Sequence, residues 1–495
     1  MEKTMQKLPK WQRFSCLILF CLGSFVFVMR VLLKYELDPD LIWHYFLGKD
    51  IFLTGSVSTA NPYSWIEGTE WNQSEWLFDL FYYFVTGHLG LIGFYLLDIF
   101  RYVILFFIVY SYHKGLDKSF SLYVLLGIMM MVAVPTTMVN RPGNFSTLFI
   151  LVLLLLYEAA SGFRYLWAFL IGIFISNFHI GQGVAFFAFL GVRLFVDLVY
   201  VILDKTGIKR LFKCFLFIGC YALGLFFNIR GYRQVFEMFD VAKMASTAYI
   251  IEWKPVYEEF SGKVSSGVVL LFCIIILSFI HYLKQYGIDR FFVRDGALVG
   301  TAFLLFFFCM KFSVFFIYIY LVFGLFYFIV FIRDNFGFLV GDLYRCSNFV
   351  LIGAGISFFI FVTVMVLKLG NNMEDYMQSL AEEQIGKETI SVLKDSNARP
   401  VHSYNSADYL LAEDIKVFVD TRQQPYAKEN GYTSTCDDAF SLMLDISSDD
   451  FAAIEGVLSK YDYNYVVCDE GFRLEAYCRY KGYEQITDNL YKVNR

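Results

Sequence analysis

The stretch FSCLILFCLGSFVFVMRVLLKYELDPD, from Phe14 to Asp40, decides the reading of this chain. Its apolar part, about Phe14 to Leu33, is roughly 20 residues long, enough at 1.5 Å per residue to cross the hydrocarbon of a bilayer. Asp38 and Asp40 follow directly. Carboxylates are expensive inside hydrocarbon and tolerated at its aqueous edge, so the pair marks where the helix emerges. Acids held at that edge point to chemistry at a membrane surface.

Composition extends this reading to the whole chain. Of 495 residues, 58% are hydrophobic, 20% aromatic and 18% charged, with a mean hydropathy of +0.53. Soluble proteins carry about 25% charge, so the class is a polytopic membrane protein. The net charge of -5 and the lack of a basic tract interleaved with aromatics argue against nucleic acid as a partner. Lys3, Lys7, Lys10 and Arg13 precede the first apolar run. The run is long and no small-residue cleavage site follows, which predicts an uncleaved anchor with a cytoplasmic N-terminus.

Walking the chain gives about eleven crossings, near 14–34, 91–112, 120–139, 144–160, 165–178, 184–203, 211–228, 266–284, 296–310, 313–332 and 348–369. An inside start and an odd count place the C-terminus outside. The charge bias agrees: Lys114, Lys118, Arg164, Lys205, Lys209, Arg210, Lys213, Lys284, Arg290, Arg294, Arg333 and Arg345 fall on the inner side. Trp76 to His88 reads as a helix lying in the outer interface rather than a crossing. The expected architecture is thus an all-α polytopic membrane domain over 1–370, with outer loops at 35–90 and 229–265. A soluble extracytoplasmic α/β domain follows over 371–495, where charge rises and long apolar runs stop. There Val417-Phe418-Val419 and Tyr465-Val466-Val467 read as strands and Asp450 to Tyr461 as a helix. Cys436, Cys468 and Cys478, an odd three, leave at least one thiol unpaired within that domain, and no Cys/His spacing suggests zinc.

The unusual polar residues fall on one side of this topology. Asp38, Asp40 and His44 open the first outer loop, and Asn61, Asn72, Gln73, Glu75 and Asp79 follow within it. Arg141 sits at the turn between the third and fourth spans, Asn177 and His179 end the fifth, Asn228, Arg230 and Arg233 follow the seventh, and Lys311 separates the ninth from the tenth. A lone Arg or Lys near a helix end mostly snorkels into the interface, and Asp98 with Arg101 most simply neutralise each other inside the second span. Those explanations leave several acids and several isolated cations gathered on one leaflet.

The order of these motifs resembles a known group. Asp38-Pro39-Asp40-Leu41-Ile42-Trp43-His44 with Gly48, Asn61-Pro62-Tyr63-Ser64-Trp65, Trp71-Asn72-Gln73 and Glu75-Trp76-Leu77 look like the first outer loop of bacterial GT-C glycosyltransferase-like membrane proteins. These are akin to protein mannosyltransferases and aminoarabinose transferases and use polyprenyl-phosphate-linked sugars. Asn140-Arg141-Pro142 with Phe145-Ser146, Asn177-Phe178-His179, Asn228 through Arg233, Glu252-Trp253, and Val417 through Arg422 with Tyr426 continue the match along nearly the whole chain. Departures occur where relatives carry Gln after Arg-Pro, Trp two before the Asn of the His motif, and Pro-Tyr after the later Asn. This chain has Gly143, Ile175 and Ile229-Arg230 there.

The resemblance implies transfer of a sugar from a polyprenyl-phosphate donor to an extracytoplasmic acceptor, a cell-envelope glycan, lipid or protein. A carboxylate would take the acceptor's proton as general base, with Asp40 the first candidate and Asp38 the second. Cations would hold the leaving phosphate, which assigns Arg141, Arg230 and Lys311, with His179 as hydrogen-bond partner. His44, Asn72, Gln73, Glu75, Asn177 and Glu252 would contact substrate. A literal Asp-x-Asp also invites a divalent Mg or Mn ion on Asp38 and Asp40. The expected place is the plasma membrane, with membrane lipids as further partners. The alternative is a non-catalytic lipid-linked saccharide transporter or envelope-assembly component on the same scaffold.

Overall fold

The computed structural model describes residues 37–71, 73–113, 140–204, 207–241, 253–259, 266–335, 372–394, 397–422, 424–426, 435–443, 451–468 and 474–494, with isolated positions between 352 and 363. Asn72, Glu252, two expected crossings (14–34 and 120–139) and most of the last lie outside the described residues.

The described membrane part is helical. Helices α1 (Asp40–Thr54) and α2 (Trp76–His113) come first and cover the segment read from the sequence as the first outer loop and the crossing after it. Then come α3 (Pro142–Glu158), α4 (Arg164–Phe178), the single turn and a half of α5 (Ile180–Ala185), α6 (Phe187–Asp204) and α7 (Ile208–Leu225). They are followed by α8 (Tyr232–Val241), α9 (Ser266–Tyr286), α10 (Arg290–Phe308) and α11, which starts at Ser313 and runs through a π-turn at Tyr320–Gly324. Among the described residues, four stretches are long and apolar enough to cross a membrane: Trp76–His113, Ile180–Leu203, Arg290–Phe308 and Met310–Asn335. Pro142–Glu158, Arg164–Phe178 and Leu271–Tyr286 are apolar but shorter.

Glycines decide where helices approach. Gly90 adopts φ 58° and ψ -143°, which breaks α2 at the boundary expected between an interfacial helix and a crossing. A methyl group at Gly48 would lie 2.0 Å from the carbonyl oxygen of Asp79, so α1 and α2 touch backbone to side face. Gly172 and Gly224 make the same allowance between α4 and α7, where added Cβ atoms would fall 2.5 and 2.3 Å from carbonyls of the facing helix. Such small-residue crossings let helices pack where no hydrophobic force drives them together.

The C-terminal part contains α12 (Met373–Ile385), α13 (Lys387–Leu393), α14 (Ala407–Ala412), α15 (Thr435–Met443), α16 (Phe451–Leu458) and α17 (Glu475–Tyr480). They surround a small sheet of β1 (Pro400–Val401), β2 (Tyr465–Val467), β3 (Glu484–Thr487) and β4 (Leu490–Lys492) in the order β1-β2-β4-β3. The β1–β2 pair is parallel and the other two are antiparallel. Tyr465–Val467 and the helix at Phe451 lie where the sequence pattern put them. Val417–Val419 differs: it forms no sheet strand, and only Val417 makes a parallel bridge, to Ser64 of the first outer loop. Its apolar run reflects burial instead of strand pairing: Val417, Phe418 and Val419 are all fully buried, and Phe418 stacks on Trp65 of that loop.

Leu41, Ile42, Phe78 and Tyr82 of the outer loop pack in one apolar cluster with Met373, Met377, Leu410 and Val417. A polar latch reinforces this. Arg422 donates from Nε to Asp420 Oδ1 at 2.9 Å and from Nη2 to Asn61 Oδ1 at 2.8 Å, while Tyr426 donates to Asp420 Oδ2 at 2.7 Å. The Arg422 guanidinium also lies 5.4 Å from the ring centres of Tyr63 and Trp71. The Asn61-Pro-Tyr-Ser-Trp and Asp420-Thr-Arg motifs therefore hold the outer loop to the C-terminal domain. Breaking a buried ion pair by removing one partner costs about 3–5 kcal/mol. Arg422→Ala should accordingly speed limited proteolysis of the C-terminal segment in the detergent-solubilised protein, and adding Asp420→Asn should recover part of the loss; wild-type cleavage rates in Arg422→Ala would refute the latch.

Candidate active site

The local reason for the site begins at α1. Asp38 accepts the backbone N–H of Asp40 at 3.1 Å, a turn that starts the helix, and Asp40 then stands in its first turn, where the helix dipole favours an acid. Arg141 occupies the N-cap position of α3 in extended conformation. Its Nε lies 2.5 Å from Asp38 Oδ2, and its Nη2 lies 3.2 Å from Asp38 Oδ1 and 3.1 Å from Asp40 Oδ2. One guanidinium thus bridges both carboxylates. The Asp38 side chain is 7% exposed and that of Asp40 25%, so Asp40 is the acid that faces open space.

A second chain of groups lies beside this one. His44 and Gly48 are four residues apart on one face of α1, and the close approach at Gly48 brings His44 Nδ1 to 2.5 Å from Asp79 Oδ1. The His44 ring lies 3.5 Å from the Trp43 ring and edge-on to Phe78. Burial, then the charges of Arg141, His179 and Arg422, hold its pKa well below the usual histidine value. His44 Nε2 lies 3.6 Å from Glu75 Oε2, and His179 Nε2 lies 3.4 Å from Glu75 Oε1.

His179 is fixed at the break between α4 and α5, where its Nδ1 accepts the backbone N–H of Gln182 at 3.2 Å. That bond assigns the ring proton to Nε2, facing Glu75. Burial, followed by Lys311 and Arg141, pushes the His179 pKa down to about 3, so the imidazole is neutral. Burial pushes Glu75 up to about 7, against the lowering effect of Lys311 and Arg141 and with the raising effect of Asp40. Lys311, between α10 and α11, sits 4.2 Å from the centre of the Trp253 ring, and the Met310 N–H binds the Lys254 carbonyl at 3.1 Å. The second outer loop thereby steadies the lysine that acts on Glu75 and His179.

Asp38, Asp40, Arg141, Glu75, His179 and Lys311 therefore meet in one electrostatic neighbourhood. Other expected residues have different places. Arg230 pairs with Glu237 at 2.9 Å, and its N–H binds Asn228 Oδ1 at 3.0 Å, so its recorded contacts belong to α8 and its entry turn. Asn177 accepts from Trp76 Nε1 at 2.8 Å and donates to the carbonyls of Ile173 and Phe227, each at 2.8 Å. Its amide thus ties α4 to α2 and to the end of α7. Gln73 has φ 49°, a strained left-handed turn, and donates to the Ser58 carbonyl at 2.5 Å, bracing the loop.

Two residues were missed by reading the sequence. Asp408 on α14 is buried, accepts from Thr421 at 2.9 Å, and has its carboxyl held well above the usual range by burial, then by Asp40 and Asp420. It brings a third carboxyl group from the C-terminal domain towards Asp40. Gln182 fills the space left by Gly143: a methyl group at 143 would come within 2.3 Å of Gln182 Nε2 and 3.7 Å of His179 Nε2. The amide expected after Arg-Pro is supplied from the neighbouring helix.

Comparison with solved structures places this fold. The chain resembles the crystal structure of the Archaeoglobus fulgidus oligosaccharyltransferase tethered with an acceptor peptide containing the NVT sequon via a disulfide bond. The TM-score is 0.50 at 11% identity, over 93% of this chain and 69% of that one. The likeness is one of fold, and it makes the architecture GT-C-like. No protein-family model matches the sequence, and no curated protein matches it significantly.

Glu75 is set to titrate near neutrality, and its neighbours fix the sign of each change. Lys311→Met removes a cation and should raise its pKa above about 7, whereas Asp40→Asn removes an anion and should lower it. Infrared titration of the protonated carboxyl band, assigned by its loss in Glu75→Gln, reads both; shifts in the same direction would contradict this geometry.

Proposed function

We propose that this protein is a membrane glycosyltransferase that moves a sugar from a polyprenyl-phosphate-linked donor to an acceptor outside the plasma membrane. The observation that supports it best is the contact of an accessible acid, Asp40, with Arg141, beside a Glu75 that feels Lys311, Asp40 and Arg141 together, on a GT-C-like fold.

The chemistry assigns each group a task. The acceptor hydroxyl gives its proton to Asp40 as its oxygen bonds to the anomeric carbon. The bond from that carbon to the phosphate oxygen breaks, and its electron pair leaves on polyprenyl phosphate. Charge grows on that phosphate, and Lys311 with Arg141 stabilises it in a site shielded from bulk water. Neutral His179 donates a hydrogen bond from Nε2, either to Glu75 or to a phosphate oxygen that replaces it. Asp38, buried and used as helix cap and arginine partner, positions Asp40 and Arg141.

The donor set does not fit a resident divalent ion. Asp38 and Asp40 both spend oxygens on Arg141, and no group of three or more His, Cys, Asp or Glu side chains gathers as a metal set among the described residues. Hard cations such as Mg ask for several oxygen ligands, so the guanidinium takes the place between the carboxylates and no step is routed through a metal.

In membranes supplied with a panel of labelled polyprenyl-phosphate sugars, Asp40→Asn should lower transfer by about 10²–10⁴-fold with insertion unchanged. Lys311→Met should lower it by about 10²–10³-fold. Full transfer by Asp40→Asn would overturn the assignment of the base.

A further inference from the structure

At the far end of the same helices lies a basic cavity of about 890 Å³ that the transfer chemistry does not use. Helix α3 begins at the candidate active site and ends at Glu158 on the cavity wall, and α4 returns from Arg164 on that wall to His179. Seventeen residues of α3 put about 25 Å between the two sites.

Six cations line the cavity: Arg164, Arg193, Arg210, Lys213, Arg290 and Arg294. Glu158 and Asp197 are the acids in its wall. Both acids are committed. Glu158 holds Arg193 through Oε1 and Arg294 through Oε2, and Asp197 takes Arg210 at 2.7 Å through Oδ1 and the Tyr157 hydroxyl at 3.2 Å through Oδ2. Arg294 also pairs with Asp295 at 2.6 Å. Cations still outnumber these carboxylates by two to one.

A basic flank is expected on the inner side of any membrane protein, and such residues are ordinarily exposed and unorganised. Here Arg193 and Arg294 are buried, with side chains 3% and 9% exposed, and are locked by one carboxylate. Arg164 is fixed by the α3 terminal carbonyls of Tyr157 and Ala159, at 3.0 and 2.9 Å. Arg290 lies 4.6 Å from the centre of the Tyr200 ring. Lys213 stands on the rim with no ion pair among the described residues. Fixed, planar arginine forks around an excess of positive charge suit the paired oxygens of a phosphate. The volume falls in the range of small-ligand sites, about 300–1,000 Å³.

We infer that this cavity binds a phosphate-bearing anion at the membrane face opposite the candidate active site. The ligand is either the headgroup of an anionic phospholipid or a soluble phosphorylated molecule, since basic pockets between helices take both. The inference does not depend on sugar transfer, and its readout is binding.

The test uses the full chain in phosphatidylcholine nanodiscs. In one arm phosphatidylglycerol is added and the retained lipid is read by native mass spectrometry; in the other, pyrophosphate is titrated and binding is read by calorimetry. Wild type should bind at least one probe, and Lys213→Glu with Arg290→Glu should weaken it tenfold or more. Lys213→Gln, a mild change at an exposed residue, should weaken it less with unchanged thermal stability. Retention of phosphatidylglycerol identifies a lipid site, and binding of pyrophosphate a soluble ligand. Failure of both probes to bind wild type, or equal binding by the charge-reversed protein, would overturn the inference.

Discussion

The guanidinium of Arg141 closes on Asp38, 103 residues earlier, and on Asp40, and the candidate active site is organised around that contact. Two carboxylates two residues apart at a membrane edge repel each other and resist leaving water. A lysine would offer a point charge to one of them. The planar fork of arginine offers donors to both at once, and it stays charged in a partly buried setting. The cost of holding the acids is met by fixing Arg141 at the start of α3, which in turn fixes α3 against α1. Both helices then open their N-termini towards the same space, and their partial positive charge adds to that of Arg141 and Lys311.

Charge in the second chain of groups is controlled by burial rather than by pairing. His44 and His179 are kept neutral, although each faces a carboxylate, because desolvation and nearby cations outweigh the attraction. Glu75 sits between them under opposing influences and ends near neutrality. The charge on Glu75 can thus be shifted by small changes in the charge of whatever occupies the neighbouring space. The absence of a side chain at Gly48 is what makes this arrangement geometrically accessible, since any Cβ there would push α1 off α2 and separate His44 from Asp79.

Much of this was legible before the fold was known. Residues that are costly in a membrane announce themselves by type, so Asp38, Asp40, Arg141, His179 and Lys311 stood out against an apolar background; Arg141 joins the two aspartates, and Lys311 acts on His179. Polar residues that serve packing do not announce themselves. Asn177 looks like a ligand in sequence because a buried amide is rare, yet its partners are a tryptophan 101 residues earlier and a carbonyl 50 residues later. Arg230 looks free only until the turn of α8 delivers Glu237. Gly143 reads as a lost amide because sequence comparison is positional, whereas the space is filled by Gln182 from another helix.

Asp408 shows most clearly why the remainder was hidden. Nothing in its surroundings of ordinary helical sequence distinguishes it, and its significance comes entirely from a shared core that joins the C-terminal domain to the first outer loop. That core and the Arg422 latch press α14 against α1, so a carboxyl group from the C-terminal part is carried into the neighbourhood of Asp40, where burial and then the negative charges of Asp40 and Asp420 raise its pKa well above the usual range. The C-terminal part is therefore a structural part of the candidate site.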